Sequence, residues 1–458
     1  GIDADDQHVL QGIRRRNSVS RRRLTVMARP ATLICSMTSR RAALVIRFAA
    51  CVTLAVAVLC AQRAVVAQTT PTAEIRGLWV LRSTLTSPRT IRQMVETAQR
   101  SGFNTLLVQV RGRGEALYAT TVEPRATELE DTPSGFDPLG ETLTAAHAAG
   151  LKVHAWVNVN LVSSAATLPR SREHVVARHP EWLMVPKRAA AALRSVPADI
   201  PLYVGTIARA ARANSEQVEG LYLSPVTAAA RDYSTRVVTD LVSRYAVDGI
   251  HFDYLRFPTD EFDYSATTLA AFRSEMGGTV SADMRERLDR QAKTTVTAWP
   301  DALPEAWSAF RQQRLTMLAA SLRTAALKAR PGLVVSAAVA PDADEARTQR
   351  LQDWRAWARQ GLLDVLCPMI YTADAAQFAT LVARVKRDAG NAAVWAGIGA
   401  YKLSPERTVE NVKTARKAGV GGVLVFSYDS LASLDAPPNY FAALRPVLID
   451  ESSRQPGR

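Results

Sequence analysis

The sequence gathers its reactive groups in one stretch, VDGIHFDYLRFP, Val247 to Pro258. A short apolar run there ends in a carboxylate, a phenol and a guanidinium: Asp253, Tyr254 and Arg256. Side chains on a strand alternate between faces. Gly249, His251 and Asp253 therefore share one face, and Ile250 and Phe252 the other. With the first face turned inward, a carboxylate stands at the C-terminal end of a central strand, above a histidine and a glycine. In α/β folds, ligands sit at such strand ends. Asp248 and Gly249 read as the turn entering the strand. His251 fits a core position as well as a partner that orients Asp253.

Other strand ends add related chemistry. They supply Trp79, Arg111 followed by Glu115, Trp156 with Asn158, Asp342, Tyr371, Tyr401 and Asp429. Carboxylates mixed with Trp and Tyr suit a carbohydrate. Sugar C–H faces pack on aromatic rings, and hydroxyls bond to Asp, Asn and Arg. Cleaving a glycosidic bond needs two carboxyl groups, one protonating the leaving oxygen and one serving as nucleophile or base. Asp253 is the central candidate, with Glu115, Asp342 and Asp429 as possible partners. Gly112-Arg113-Gly114 precedes Glu115 and could hold it over the mouth. Asp342 and Asp429 also fit helix N-caps. Arg111, Asn158, Tyr254, Arg256, Tyr371, Tyr401 and Asp429 are expected to contact the sugar's polar groups, and Trp79 and Trp156 to form stacking surface.

These positions need a scaffold that brings many strand ends together. From residue 74, apolar strand-like runs alternate with longer helix-like runs, as βα units do. Eight strands are expected: Ile75–Leu81, Thr105–Arg111, Lys152–Val159, Asp248–Asp253, Val334–Ala340, Asp364–Tyr371, Val394–Tyr401 and Gly422–Tyr428. The intervening helices include Thr90–Ser101, Leu139–Ala149, Ala228–Tyr245, Ala306–Ala329, Ala346–Arg359, Asp374–Arg387 and Pro405–Ala418. Several end in Gly. The fold class is α/β, a (β/α)8 TIM barrel with long insertions after strands three and four. An open doubly wound sheet is the alternative, but no GxGxxG follows the first strand. The first insertion is expected to hold short strands at Trp182–Val185 and Gly220–Leu223 and a flexible excursion over Lys187–Arg212. The second carries the acidic-aromatic run Asp260–Tyr264.

The chain divides into a leader (1–67), a linker (68–73), the barrel (74–446) and a flexible tail (447–458). In the leader, Arg40, Arg41 and Arg47 precede an apolar run from Phe48 to Cys60, and Val65-Val66-Ala67 offers a cleavage site before Gln68. This reads as a signal peptide, or as a membrane anchor if uncleaved, starting at Met27 or Met37. A periplasmic or secreted location follows. The net charge of +14 is uneven: residues 1–67 hold 11 of the 57 Lys and Arg but 3 of the 43 Asp and Glu, leaving the remainder at +6. The basic balance is thus poor support for nucleic acid as a partner. A mildly basic body could still favour an acidic polymer. Three of the four cysteines fall in the leader, and Cys367 reads as core. Neither HExxH nor CxxC occurs, so no metal or other cofactor is implied.

Taken together, EIRGLWV (Glu74–Val80), QVRGRGEALY (Gln109–Tyr118), FDPLGETLTAAHAAGLKVHAWVN (Phe136–Asn158), LYLSP (Leu221–Pro225), VDGIHFDYLRFP and DVLCPMIY resemble the family 10 glycosyl hydrolase-like proteins. The resemblance spans roughly residues 74–445. It implies an exported TIM barrel that cleaves a bacterial envelope polysaccharide, notably peptidoglycan glycan strands stripped of stem peptides. It also implies an acidic residue at Glu115, which makes Glu115 the first choice as partner of Asp253, with Asp342 second. A more distant similarity is to glycoside hydrolase family 18, whose fourth strand reads DGxDxDxE and whose sixth ends M-x-Y. Met369 and Tyr371 match the second motif, but Leu255 stands where the acid Glu would be. That mechanism is therefore closed at that position. The rival reading is a glycan-binding barrel without catalysis.

Overall fold

A computed structural model describes residues 74–450. The expected leader and linker, up to residue 73, lie outside the described residues. The ten strands are β1 (Ile75–Val80), β2 (Thr105–Arg111), β3 (Lys152–Asn158), β4 (Leu161–Ser163), β5 (Leu221–Tyr222), β6 (Gly249–Asp253), β7 (Val334–Val339), β8 (Val365–Ile370), β9 (Ala393–Ile398) and β10 (Gly422–Val425). All but β4 and β5 form a closed parallel barrel in sequence order, with β1 pairing to both β2 and β10. This is the expected (β/α)8 barrel, its helices between successive strands.

The barrel forms because its strands are apolar on both faces, as parallel strands must be when helices cover one side. Residues such as Leu78, Val108, Ile250 and Val335 face the helices. Trp79, Leu107, Trp156, Val365, Cys367, Trp395 and Leu424 make a separate cluster inside. Cys367 is fully buried there. The register places His154 beside Gly249, Trp156 beside His251 and Asn158 beside Asp253. Gly249 is required: a Cβ there would lie 2.4 Å from the His154 ring.

Several helices match expectation to within a few residues, among them Pro88–Arg100, Pro138–Ala148, Ala228–Arg244 and Pro304–Ala329. Four details differ. The expected helix over 346–359 is two, Ala343–Gln349 and Trp354–Arg359. The break falls at Leu351, whose φ is +55°, and Asp353 caps the second piece. Lys187–Arg212 is not a flexible excursion but two helices, Lys187–Leu193 and Pro201–Arg212, anchored by buried Leu193, Tyr203 and Ile207. The strand expected at Trp182–Val185 is reduced to a single bridge, Leu183 to Leu223, and β5 pairs with β4 instead. Finally, the helix Tyr440–Ile449 runs through Pro446, with Val447 and Leu448 buried, so the expected tail is not observed over residues 447–449.

Asp260–Tyr264 serves the architecture. Asp263 is buried and accepts hydrogen bonds from the Val185 and Ser265 amides (2.8 and 2.9 Å) and the Thr268 hydroxyl (2.7 Å). It thereby ties the two insertions together over the barrel. Among the described residues no helix is long and apolar enough to cross a membrane, and no group of His, Cys, Asp and Glu could hold a metal ion.

Candidate active site

The C-terminal mouth of the barrel holds a cavity of about 290 Å³. Trp79, Trp156, Tyr371 and Phe426 give it aromatic walls, and Asp253 and Glu219 bring carboxyl groups. Arg82, Gln109, Arg113, Asn158 and Tyr254 complete its polar lining. A larger groove of about 920 Å³ beside residues 431–441 shares no residue with it and carries no carboxyl group.

Asp253 ends β6 and is almost buried, at 8% exposure. Its Oδ1 accepts the Tyr254 amide at 2.6 Å. Tyr254 has φ +50°, a left-handed conformation uncommon for a large side chain. Burial pushes the Asp253 carboxyl up to about 6, against the opposing pull of Arg256 and the Tyr254 amide.

Beneath Asp253, the Trp79 indole donates to His251 Nε2 at 3.2 Å, and His251 Nδ1 faces Ser336 Oγ at 3.0 Å. An indole can only donate, so His251 is neutral and carries its proton on Nδ1. Burial lowers its pKa to about 3. His251 thus orients the Trp79 ring rather than Asp253. The Trp156 indole donates to Asn158 Oδ1 at 2.9 Å, and Asn158 Nδ2 donates to the Gly112 carbonyl at 2.8 Å. Asn158 therefore braces the loop after β2 as well as lining the cleft.

Glu219 was missed in the sequence. It lies in the first insertion, two residues before β5, in the segment leading into LYLSP. Its Oε1 accepts from Arg256 Nη2 at 2.7 Å and its Oε2 from the Tyr222 hydroxyl at 2.5 Å. Burial pushes Glu219 up, but Arg256 and the Tyr222 hydroxyl outweigh it and hold the carboxyl below its usual value. Arg256 is buried against it and stacks over the Tyr254 ring at 4.6 Å. A negative charge at Glu219 is thus stabilised, whereas at Asp253 it is penalised.

The other expected site residues fall elsewhere. Glu115 lines a neighbouring groove of about 410 Å³, where Thr127 donates to it through amide and hydroxyl (3.2 and 3.0 Å). Arg113 lines both grooves. Asp342 caps the helix Ala343–Gln349 through the Asp344 and Glu345 amides and pairs with Arg384 at 3.0 Å. Asp429 accepts from the Leu81 amide and the Ser83 and Thr84 hydroxyls, tying the end of β1 to the segment that follows its neighbour β10. Neither Asp342 nor Asp429 lines the cleft. Arg111 is wholly buried, paired with Glu123 at 2.7 Å while Tyr233 donates to the same carboxylate at 2.6 Å. It holds structure and touches no cleft. Tyr401 stands on the rim, 46% exposed, edge-on to Tyr371. Leu255 is fully buried.

A closed parallel barrel whose top holds aromatic walls and paired carboxyl groups defines a TIM barrel of glycoside-hydrolase type. The chain belongs to the Glycosyl hydrolase-like 10 family, whose model matches residues 74–415. Two named relatives are similar. Glycosyl hydrolase DigH of Escherichia coli K12 is 26% identical over 298 residues, covering 60% of this chain and 55% of that protein. Glycosyl hydrolase YngK of Bacillus subtilis strain 168 is 23% identical over 171 residues, covering 36% and 28%. The chain thus spans about half the length of DigH. Among solved structures, the PgaB (BpsB) glycoside hydrolase domain of Bordetella bronchiseptica aligns with TM-score 0.55 at 17% identity, over 82% of this chain and 99% of that one. The β-amylase catalytic domain of Paenibacillus polymyxa aligns with TM-score 0.55 at 12% identity, over 84% and 99%. These likenesses show the fold.

Proposed function

We propose that this chain is an exported glycoside hydrolase that cleaves a bacterial envelope polysaccharide, most readily the glycan strands of peptidoglycan, in the periplasm or outside the cell. One observation carries the reading: Asp253 stands at a C-terminal strand end inside an aromatic cleft, where burial favours its protonated form. A carboxyl group that holds its proton up to about pH 6 is suited to giving it to a glycosidic oxygen. Trp79, Trp156 and Tyr371 offer faces for sugar rings. Arg113 supports the choice of an acidic glycan. Among the described residues its guanidinium has no carboxylate partner, while nearby acids are engaged: Glu128 with Arg82, Glu115 with Thr127 and Glu219 with Arg256. A lactyl carboxylate freed of its stem peptide would supply that partner. The names of DigH and YngK accord with glycosidic cleavage. Residues 1–67, by their sequence, support export.

The test is incubation of the purified chain with peptide-free peptidoglycan strands, reading products by mass beside Asp253→Asn. Short glycan fragments from the parent alone are expected. Equal cleavage by the variant would remove Asp253 from the chemistry. Binding by both without fragments would favour the non-catalytic barrel, the reading suggested by Leu255 in place of an acid.

A further inference from the structure

We propose that Glu219 is the second catalytic carboxylate of this cleft, the ionised partner of Asp253, with Arg256 and Tyr222 as its positioning residues. The assignment rests on the hydrolase reading above and deepens it. Among the described residues lining the cleft, Asp253 and Glu219 are the two that carry carboxyl groups. The carboxylates that spacing and resemblance favoured are committed elsewhere, Glu115 to the neighbouring groove and Asp342 to a helix cap.

The geometry around Glu219 is that of a placed group. Arg256 and Tyr222 hold one carboxylate oxygen each, which leaves the carboxylate fixed while lone pairs remain on both oxygens. Its main chain is pinned as well. A Cβ on Gly220 would sit 1.9 Å from the Ser163 carbonyl, so the chain passes tightly against β4. Leu161, on β4, lines the same cleft. The side chain is 36% exposed, open to the cleft rather than sealed in the core. Two carboxyl groups in one cavity, one enclosed and one held by a guanidinium and a phenol, have their proton affinities driven in opposite directions. Such a split separates acid from anion.

In the reaction, the Asp253 carboxyl gives its proton to the glycosidic oxygen as the bond from that oxygen to the anomeric carbon breaks, its electron pair leaving with the oxygen. The Glu219 carboxylate faces the positive charge that develops on that carbon. Water then supplies the new oxygen–carbon bond and gives up one proton. That proton goes to Asp253 if Glu219 has formed a glycosyl ester, or to Glu219 if it guided the water directly. Either route consumes one water; the first restores both groups directly, and in the second the proton on Glu219 returns to Asp253 through solvent before the next turnover.

The test uses the full chain and peptide-free glycan strands, with Glu219→Gln, Glu219→Ala and Asp253→Asn side by side. Glu219→Gln should lose activity by about 100-fold or more while binding oligosaccharide within about threefold of the parent. Azide or formate should restore Glu219→Ala by about tenfold or more, since a small anion can enter the vacated space. A Glu219→Gln variant keeping more than about a tenth of the parent rate, with Asp253→Asn inactive, overturns this assignment and leaves the hydrolase reading standing. Loss of binding together with activity, unrelieved by either anion, makes Glu219 structural and also overturns it. A parent that cleaves no glycan overturns both.

Discussion

Asp253 combines a functional position with a stability cost, and the two can be separated by pH. In the unfolded chain its carboxyl ionises near 3.8, whereas burial in the fold raises it to about 6. The folded state therefore holds a proton that the unfolded state releases, and stability falls as pH rises between those values. The penalty is absent below about pH 4 and complete above about pH 6, on the order of 3 kcal/mol. Asp253→Asn should accordingly be more stable than the parent at pH 7, by several degrees in Tm, with the gap closing at pH 4. Thermal unfolding at both pH values checks this; a variant less stable at pH 7 would show that burial is not what raises the carboxyl. Activity should follow the same group, declining about tenfold per pH unit above about 6 as the acid is lost. At low pH the limb belongs to Glu219. Tyr222→Phe removes a donor to its anion, so that limb should move to higher pH.

At the scale of elements, the buried pair Arg111–Glu123 shows what the sequence could and could not say. As a residue at the end of β2, Arg111 is expected at the cleft. In the structure the side chain is buried and meets Glu123, twelve residues on, together with Tyr233 from the insertion's long helix. No local pattern announces such a pairing. Removing one member of a buried ion pair strands the other charge at about 3 to 5 kcal/mol, whereas replacing both with apolar groups can be close to neutral. Arg111→Met should therefore lower the denaturation midpoint strongly without raising KM where the chain is still folded, and adding Glu123→Leu should recover most of the loss. Equal damage from the single and double variants would refute the stranded-charge account. The strand ends were legible because alternation fixes which residues face inward: Asp253, His251 and Gly249 share a face, and Trp156 and Asn158 sit beside them. Glu219 was not. It lies in an insertion whose return path to the mouth depends on pairing between β4 and β5, and the strand expected there was placed at Trp182–Val185 instead of Leu161–Ser163.

For the whole molecule, charge and cleft act together. The chain outside residues 1–67 carries a surplus of +6, and Arg113 lies where the aromatic cleft meets the neighbouring groove. A glycan bearing a carboxylate on alternate sugars would feel both, the surplus during approach and Arg113 once seated. Long-range attraction weakens as the screening length shrinks from about 30 Å at 0.01 M salt to about 8 Å at 0.15 M. Contact with a partly enclosed guanidinium is screened less. Two consequences follow and they are separable. For peptide-free strands, KM should rise with salt over that range while kcat stays level, and strands with their carboxylates esterified should show a flat KM. Arg113→Gln should raise KM for the acidic strands even at 0.15 M and leave the esterified strands unaffected. If esterified and acidic strands respond alike, the basic surplus is an ordinary solvated surface and Arg113 recognises no anion. The aromatic walls would then carry recognition alone, and the preference for peptidoglycan would lose its electrostatic support.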